Sequence, residues 1–263
     1  MFFAQDGLGD PSILFVHGFG CDLSDWQAQF ERLRARNRLV ACDLRGHGAT
    51  PGLPADCSIE TYGSDVALLL EELDLSAVVL VGHSMGCRVV LEAYRKAPER
   101  VAGIVLLDGS AVGAGDPVSA ERAMAQQLDD EGYEHFVRRF FEAMFTPASD
   151  PDVKDAIIER ALRMPTPVGR ALFPRLARWD AGTMDAALAG VSVPFMVLQS
   201  TAMNADRVRV SLRPGQSSPW LKLIGTQVPR ARIEVLPGAG HFPHVEQPDD
   251  VAALIGDFVA SLR

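Results

Sequence analysis

The sequence predicts an α/β protein with a mostly parallel sheet, flanking helices and an inserted all-helical segment. Short apolar runs alternate with amphipathic stretches along residues 12–107, and the alternation returns along residues 193–262. These runs are apolar on both faces, which is typical of a parallel sheet covered by helices on each side. Between residues 111 and 190 the alternation stops, and helical stretches punctuated by prolines remain. These three observations predict the fold class.

The individual elements follow from the same patterns. Short, continuously apolar runs predict strands at residues 12–16, 39–42, 77–81, 101–107, 193–198 and 231–236. Amphipathic stretches predict helices at residues 24–36, 58–73 and 251–262, and a further helix that follows the third strand and ends near Pro98. Because Met1 lies close to the first predicted strand, we expect at most one shortened strand before it.

The helical interruption predicts the domain organisation. We expect a core built from residues 1–110 and 191–263, and a helical cap, or lid, built from residues 111–190. Large apolar side chains recur in the cap at roughly helical spacing: Phe136, Phe140, Phe141, Met144, Phe145 and Trp179. Most are expected to pack inside the protein, and some to face a substrate.

Composition limits the class of protein. The 263 residues, 48% of them hydrophobic, can bury the core of one large domain. A net charge of −9 disfavours nucleic acid and anionic membranes as partners. No apolar run approaches the ~20 residues of a membrane span and no secretory leader is evident, so we expect a cytoplasmic protein. The four cysteines have no C-x-x-C spacing and no clustered histidine, so no zinc site is predicted.

The third strand runs directly into Gly82-His83-Ser84-Met85-Gly86, and a helix follows. A serine on such a sharp strand-to-helix turn is held in strained backbone geometry with its hydroxyl exposed. The flanking glycines fit because a side chain at either position would collide with the neighbouring strand or helix. We predict that Ser84 is a nucleophile; the alternative is an ordinary glycine-flanked turn serine.

Four motifs together resemble the α/β-hydrolase superfamily, in particular its serine esterases and lactonases with a helical cap. They are His17-Gly18-Phe19-Gly20 after the first strand, Asp43-Leu44-Arg45-Gly46-His47-Gly48 after the second, the turn around Ser84, and Gly240-His241-Phe242-Pro243 after the last. The resemblance covers nearly the whole chain. It implies an oxyanion hole formed by the backbone N–H groups of Phe19 and Met85.

A serine hydroxyl needs a base to become nucleophilic at neutral pH. His241 is the predicted base, because it lies in a glycine-rich loop after the last strand, which faces the nucleophile in this fold. His83 is expected to lie beneath the turn, and His17 to shape the loop that carries Phe19.

The acid that orients the base is less clearly marked. The strand before the last leads into Gln199-Ser200-Thr201-Ala202-Met203-Asn204, with no carboxylate before Asp206. Asp108, at the end of the 101–107 strand, is therefore the predicted acid, since some α/β-hydrolases carry it there. Asp206 remains an alternative, as does an amide such as Asn204 or no acid at all. The basic segment 206–216 is expected to be a solvated loop, although it could also gate the pocket or bind an anionic group.

The sequence thus predicts a cofactor-free serine hydrolase that cleaves a carboxylic ester or lactone of an apolar small molecule. Ser84, His241 and Asp108 are the expected catalytic residues, with Phe19 and Met85 in the oxyanion hole. A carbon–carbon bond hydrolase of aromatic degradation is the nearest alternative, and a non-catalytic small-molecule receptor on the same fold is another. The physiological substrate and the oligomeric state stay open.

Overall fold

The structure is a computed structural model that describes residues 1–204 and 208–263. The described residues form a seven-stranded sheet and a separate two-stranded hairpin. The strands are β1 (Phe3–Asp6), β2 (Ile13–Val16), β3 (Leu39–Cys42), β4 (Val78–His83), β5 (Val101–Leu107), β6 (Phe195–Gln199), β7 (Thr201–Met203), β8 (Arg209–Ser211) and β9 (Arg232–Val235). The large sheet has the order β1-β3-β2-β4-β5-β6-β9.

The large sheet is parallel except at one edge, where β1 pairs with β3 in the antiparallel sense. This confirms the predicted fold class, a mostly parallel sheet flanked by helices. The short β1 also matches the expectation of a single reduced strand before the first buried one. β7 and β8 form the antiparallel hairpin directly after β6.

Helices fill the connections between these strands. Besides three short 3-10 helices, the described residues contain the α-helices α1 (Gln27–Leu33), α2 (Ile59–Glu72), α3 (Met85–Lys96), α4 (Pro117–Glu131), α5 (Tyr133–Glu142), α6 (Pro151–Leu162), α7 (Thr166–Ala189), α8 (Pro219–Gln227), α9 (Pro243–Glu246) and α10 (Pro248–Ala260). Within the part of the chain that is described, none of them combines the length and the apolar character that crossing a membrane requires.

The buried strand β2 shows why helices cover both faces of the sheet. Leu14 and Val16 belong to one apolar cluster, which α2, α3 and the helices between β5 and β6 complete. Ile13 and Phe15 belong to the other, which α1 and α10 complete. Successive side chains of a strand point to opposite faces, so a run that is apolar throughout needs a core on each side.

Helices α4 to α7 occupy the chain between β5 and β6, inside the range 111–190 expected for the cap. A buried ion pair joins this segment to the core: Arg88 of α3 binds Asp180 of α7 through two hydrogen bonds of 2.7 and 2.8 Å. Arg88 also donates to the carbonyl of Ser84 at 3.1 Å. The helix that begins at the predicted nucleophile is thus tied directly to the longest helix of the inserted segment.

Candidate active site

Ser84 lies between β4 and α3 in a backbone conformation that only a sharp turn requires, with φ 53° and ψ −113°. Its N–H donates to the carbonyl of Leu107, 3.0 Å away, so the turn remains anchored to β5. A Cβ on Gly82 would lie 2.3 Å from the carbonyl oxygen of Gly86, and one on Gly86 would lie 2.3 Å from the carbonyl oxygen of Val16. Both contacts are too short for any side chain, which explains the two glycines.

The register of the sheet puts Ser84 beside Asp108. β4 and β5 are parallel neighbours in which His83 pairs with Leu107, and each residue is the last of its strand. The next residues, Ser84 and Asp108, therefore leave the same edge of the sheet side by side. Asp108 also has a positive φ, 43°. Two strained residues at adjacent strand ends are typical of a functional site.

His241 completes a chain of hydrogen bonds between these two residues. Its Nε2 lies 2.8 Å from Oγ of Ser84, and its Nδ1 lies 2.6 Å from Oδ2 of Asp108. The backbone of His241 is held on both sides, because its N–H donates to the carbonyl of Met144 at 2.8 Å and its own carbonyl accepts from Nε2 of His83 at 2.7 Å. The structure thus brings together the serine, histidine and aspartate that the sequence singled out.

Asp108 is fully buried and surrounded by donors. Its Oδ1 accepts from the N–H groups of Ser200 and Thr201 and from Oγ of Ser200, all at 2.8–2.9 Å. Its Oδ2 accepts from Oγ1 of Thr201 at 2.6 Å, besides His241. Burial by itself would raise the pKa of Asp108, but the hydrogen bonds from His241 and Thr201 and the charge of Arg209 lower it below its ordinary value. The carboxylate therefore stays ionised and can fix the proton of His241 on Nδ1.

The imidazole of His241 is neutral at physiological pH. Burial and the charge of Arg209 lower its pKa, Asp108 opposes both, and the net result is a pKa of about 4. With the proton held on Nδ1 by Asp108, the lone pair of Nε2 faces the hydroxyl of Ser84. This is the protonation state that a general base needs.

The loop after β2 lies directly against Ser84. A Cβ on Gly18 would come within 3.1 Å of the Cβ of Ser84. His17 holds this loop through both ring nitrogens: Nδ1 donates to the carbonyl of Gly18 at 2.7 Å, and Nε2 accepts from the N–H of Leu44 at 3.1 Å. The expected role of His17 in shaping the loop agrees with these contacts.

Phe19 and Met85 line the same cavity as Ser84. The described residues offer no hydrogen-bond acceptor to the backbone N–H of either residue. Two uncommitted donors beside a serine hydroxyl can bind an oxygen that gains negative charge.

The cavity in front of Ser84 is narrow, with a volume of about 40 Å³. Its walls are largely apolar and come partly from the segment between β5 and β6, through Phe140, Phe141, Met144, Phe173 and Leu176. Residues 1–204 and 208–263 contain no group of three or more His, Cys, Asp and Glu side chains arranged to hold a metal ion.

Comparison with known proteins decides the family. The family model described as "Alpha/beta hydrolase family" matches residues 13–254 of the chain. The chain belongs to the alpha/beta hydrolase family. This alpha/beta hydrolase is similar to an esterase of Thermogutta terrifontis whose structure has malate bound, with 27% identity, a TM-score of 0.82, and coverage of 99% of this chain and 93% of the esterase.

Two curated relatives extend the comparison. The dihydrolipoyllysine-residue acetyltransferase component of the acetoin cleaving system of Pseudomonas putida is 27% identical over 261 residues, covering 95% of this chain. The chain spans only 63% of the length of that relative. The sn-1-specific diacylglycerol lipase of Mus musculus is 26% identical over 272 residues, covering 95% of this chain and 81% of the lipase.

Asp206 and Asn204 were the alternative partners for His241. Asp206 falls outside the described residues. Asn204 is at the end of the β7–β8 hairpin, where its side-chain oxygen accepts from the N–H of Val208 at 2.9 Å. In this alpha/beta hydrolase, the residue that contacts Nδ1 of His241 from β5 is Asp108.

Sequence reasoning missed the contribution of the β7–β8 hairpin. The expectation of a solvated loop over 206–216 is wrong for Arg209, which lies in β8 with a side chain only 11% exposed. Its Nη1 is 2.7 Å from Oγ1 of Thr201, 3.4 Å from Oδ2 of Asp108 and 3.3 Å from Nδ1 of His241. The polar run Ser200-Thr201 at the end of a buried strand was the signal that could have marked this environment, since polar residues there need partners.

Proposed function

We propose that the chain is a serine hydrolase that cleaves a carboxylic ester or lactone of a largely apolar small molecule through an acyl-enzyme. The observation that carries the proposal is the hydrogen-bonded chain from Ser84 through His241 to Asp108, at 2.8 and 2.6 Å. Nucleophile, base and orienting acid are within the distances that nucleophilic catalysis needs.

In the first half-reaction, Oγ of Ser84 attacks the ester carbonyl carbon while Nε2 of His241 takes the hydroxyl proton. The carbonyl oxygen becomes negatively charged and is bound by the N–H groups of Phe19 and Met85. Asp108 stabilises the imidazolium that forms. The proton on Nε2 then passes to the alcohol oxygen, the bond between carbonyl carbon and alcohol oxygen breaks, and the acyl group remains on Ser84.

In the second half-reaction, water replaces the alcohol. Nε2 of His241 takes a proton from water, the oxygen attacks the acyl carbonyl carbon, and the same two N–H groups bind the second oxyanion. The proton returns to Oγ of Ser84 as the acyl bond breaks, which releases the carboxylic acid. With a lactone, acid and alcohol leave as one hydroxy acid.

The walls of the cavity support a largely apolar substrate. Phe140 and Phe173 lie edge to face with centroids 5.0 Å apart, and Phe173 meets Phe19 in the same manner at 4.9 Å. Such a surface favours aliphatic or ring-containing groups over sugars or peptides. The esterase and the lipase among the similar proteins also support ester chemistry.

The test is hydrolysis of a graded set of p-nitrophenyl esters and aryl lactones by the wild type and three variants. We expect a loss of about 10⁶-fold in kcat for Ser84→Ala and about 10⁴-fold for Asp108→Asn. Ser64→Ala, a serine on α2 that donates to the carbonyl of Glu60, is the matched control and should retain wild-type activity. A fluorophosphonate should label the wild type and Ser64→Ala but not Ser84→Ala.

The other outcomes are equally informative. Full activity of Asp108→Asn together with loss in Asp206→Asn would move the acid to Asp206. Cleavage of a vinylogous diketone without cleavage of any ester would indicate a carbon–carbon bond hydrolase. Absence of both labelling and turnover in the wild type would overturn the proposal and favour a receptor.

A further inference from the structure

Arg209 is a cation at the catalytic cavity whose one ion pair among the described residues is a 3.4 Å contact with Asp108. Its side chain is 11% exposed and lines the same cavity as Ser84. Burying a guanidinium costs free energy unless the group is paired and hydrogen-bonded, so the partners of Arg209 decide whether it is satisfied.

Asp108 is a poor partner for Arg209 because it is already saturated. Its two oxygens accept five hydrogen bonds of 2.6–2.9 Å from Ser200, Thr201 and His241. Arg209 reaches it through Nη1 alone, at 3.4 Å. The short hydrogen bond of Nη1 goes instead to Oγ1 of Thr201, at 2.7 Å.

The remaining donors of Arg209 have no partner in the part of the chain that is described. Residues 1–204 and 208–263 place no hydrogen-bond acceptor on its Nε or Nη2. A guanidinium carries five N–H donors in a fork that fits a carboxylate with two parallel hydrogen bonds. Arg209 therefore keeps most of this binding capacity unused.

Arg88, the second arginine of the cavity, is a guanidinium with a full set of hydrogen-bond partners. Arg88 binds Asp180 with two short hydrogen bonds and donates to the carbonyls of Ser84 and Ser110. Among the described residues that line the cavity there are two arginines and no carboxylate. Arg209 thus differs from Arg88: among the described residues its one ion pair is the 3.4 Å contact of Nη1 with Asp108, and its Nε and Nη2 are left for a ligand.

The position of Arg209 relative to His241 indicates which part of a substrate would meet it. Nη1 of Arg209 is 3.3 Å from Nδ1 of His241, whereas Oγ of Ser84 is 2.8 Å from Nε2 of the same ring. In the proposed mechanism Nε2 delivers its proton to the alcohol oxygen, so the alcohol portion of the substrate lies on the side of His241. The acyl oxygen lies on the other side, towards Phe19 and Met85.

We infer that the alcohol portion of the substrate carries a carboxylate, which Arg209 binds through its uncommitted nitrogens. The substrate class is an acyl ester of a hydroxy acid, or a lactone with a carboxylate near the ring oxygen. The inference rests on the proposed function, since the direction of proton delivery defines the alcohol side. It adds a specificity residue that lies on the β7–β8 hairpin, outside the motifs that identify the fold.

A matched pair of substrates tests the inference. O-butyrylglycolate carries the carboxylate in its alcohol portion, and O-butyrylglycolamide is its neutral isostere. For the wild type, kcat/KM should be at least about tenfold higher for the carboxylate, the size of a good charge-assisted hydrogen bond. In Arg209→Gln this ratio should fall towards one, whatever the change in absolute turnover, and Arg209→Lys should retain part of it.

Arg213→Gln is the matched control, because this exposed arginine is on the same segment and does not line the cavity. It should keep the wild-type ratio. A wild type with no preference for the carboxylate, or an unchanged ratio in Arg209→Gln, would overturn the inference. So would a preference seen only with monoethyl succinate over ethyl succinamate, where the charge is in the acyl portion.

Equilibrium binding separates this inference from the proposed function. N-butyrylglycine is the amide analogue of O-butyrylglycolate, and its binding to Ser84→Ala is measured by calorimetry beside that of N-butyrylglycinamide. We expect the carboxylate to bind at least about tenfold more tightly, and Arg209→Gln in the Ser84→Ala background to abolish the difference. Arg209-dependent binding without ester turnover would refute only the hydrolase proposal, whereas ester turnover without anion preference would refute only the inference.

Discussion

Arg88 and Asp180 form a buried, doubly hydrogen-bonded ion pair between the helix that follows Ser84 and the longest helix of the inserted segment. The side chains are 2% and 0% exposed, and the bonds are 2.7 and 2.8 Å long. Asp180 also accepts from the N–H of Val112 at 2.6 Å. This pair fixes the inserted helices over the cavity, so its removal should affect the stability of the whole fold.

Replacing one member of this pair leaves a buried, uncompensated charge. We expect Arg88→Met or Asp180→Leu to lower the free energy of unfolding by about 3–5 kcal/mol, as measured by guanidinium unfolding. The double variant should lose less than the sum of the two single variants, because neither charge remains. Additive losses would contradict this coupling.

The exposed pair Arg178–Glu121 is the matched control. It likewise joins α7 to another helix, here α4, through a contact of 2.8 Å. Its side chains are 53% and 29% exposed. Solvent screens such a pair, so Arg178→Met should leave stability nearly unchanged.

The activity should be almost independent of pH through the neutral range. Burial and Arg209 lower the pKa of His241 to about 4, so its imidazole, the proposed base, is neutral well below pH 7. We expect kcat/KM for a neutral ester to be constant between about pH 5.5 and 8 wherever fluorescence shows the enzyme folded.

Arg209→Gln removes the cation beside His241 and should raise the pKa of that imidazole. The acidic limb of the profile should therefore move to higher pH, whereas Arg213→Gln should not move it. A wild-type limb centred near 6.5, the ordinary value for histidine, would contradict the lowered pKa.

Stability should fall as the pH drops below about 6.5. Burial lowers the pKa of five histidines, to about 3 or 4 for four of them and further for His83: His17, His47, His83, His241 and His244. In this range the unfolded chain binds protons that the native state does not, so protonation favours unfolding. At pH 5.5 each histidine should cost about 1 kcal/mol of unfolding free energy relative to pH 7.5.

His244 offers a direct check of this linkage. It stacks on Trp26 with ring centroids 4.5 Å apart, and neither of its ring nitrogens has a hydrogen-bond partner among the described residues. His244→Phe should reduce the slope of unfolding free energy against pH by up to one proton, whatever its effect at pH 7.5. An unchanged slope would show that His244 titrates alike in the folded and unfolded states.

Two glycine substitutions should have opposite effects. Gly86→Ala would place a Cβ 2.3 Å from the carbonyl oxygen of Val16, so we expect the turn to distort and both stability and activity to be lost. Gly225 lies inside α8 with no atom within 4 Å of an added Cβ. Gly225→Ala should raise the unfolding free energy by about 0.5–1 kcal/mol, because alanine loses less chain entropy in a helix. Equal effects of the two substitutions on thermal unfolding would refute this account.

Local patterns in the sequence were sufficient for the fold class and for the turn at Ser84. A run such as Val78–His83 is apolar throughout because both faces of the strand are buried, and this property is visible in the residues alone. The glycines around Ser84 are needed because a side chain there would collide with the neighbouring strand or helix, as in every sharp strand-to-helix turn. His241 was predictable because its loop directly follows the last strand.

The partner of His241 was less accessible to sequence reasoning. Asp108 and His241 are 133 residues apart, and their contact depends on how two loops fold over the sheet edge. The sequence favoured Asp108 over Asp206 and Asn204, but it could not give the distance of any of them from His241. The register that pairs His83 with Leu107 put Asp108 beside Ser84.

The sequence by itself therefore determined the α/β architecture, the strained serine and the histidine loop, because each follows from residues that are neighbours in the chain. Only the tertiary structure decided that Asp108 contacts His241, that Arg88 pairs with Asp180 across 92 residues, and that Arg209 turns into the cavity from a segment expected to be solvated. The physical reason is that burial and charge pairing between distant residues depend on the closure of loops, which no local periodicity encodes.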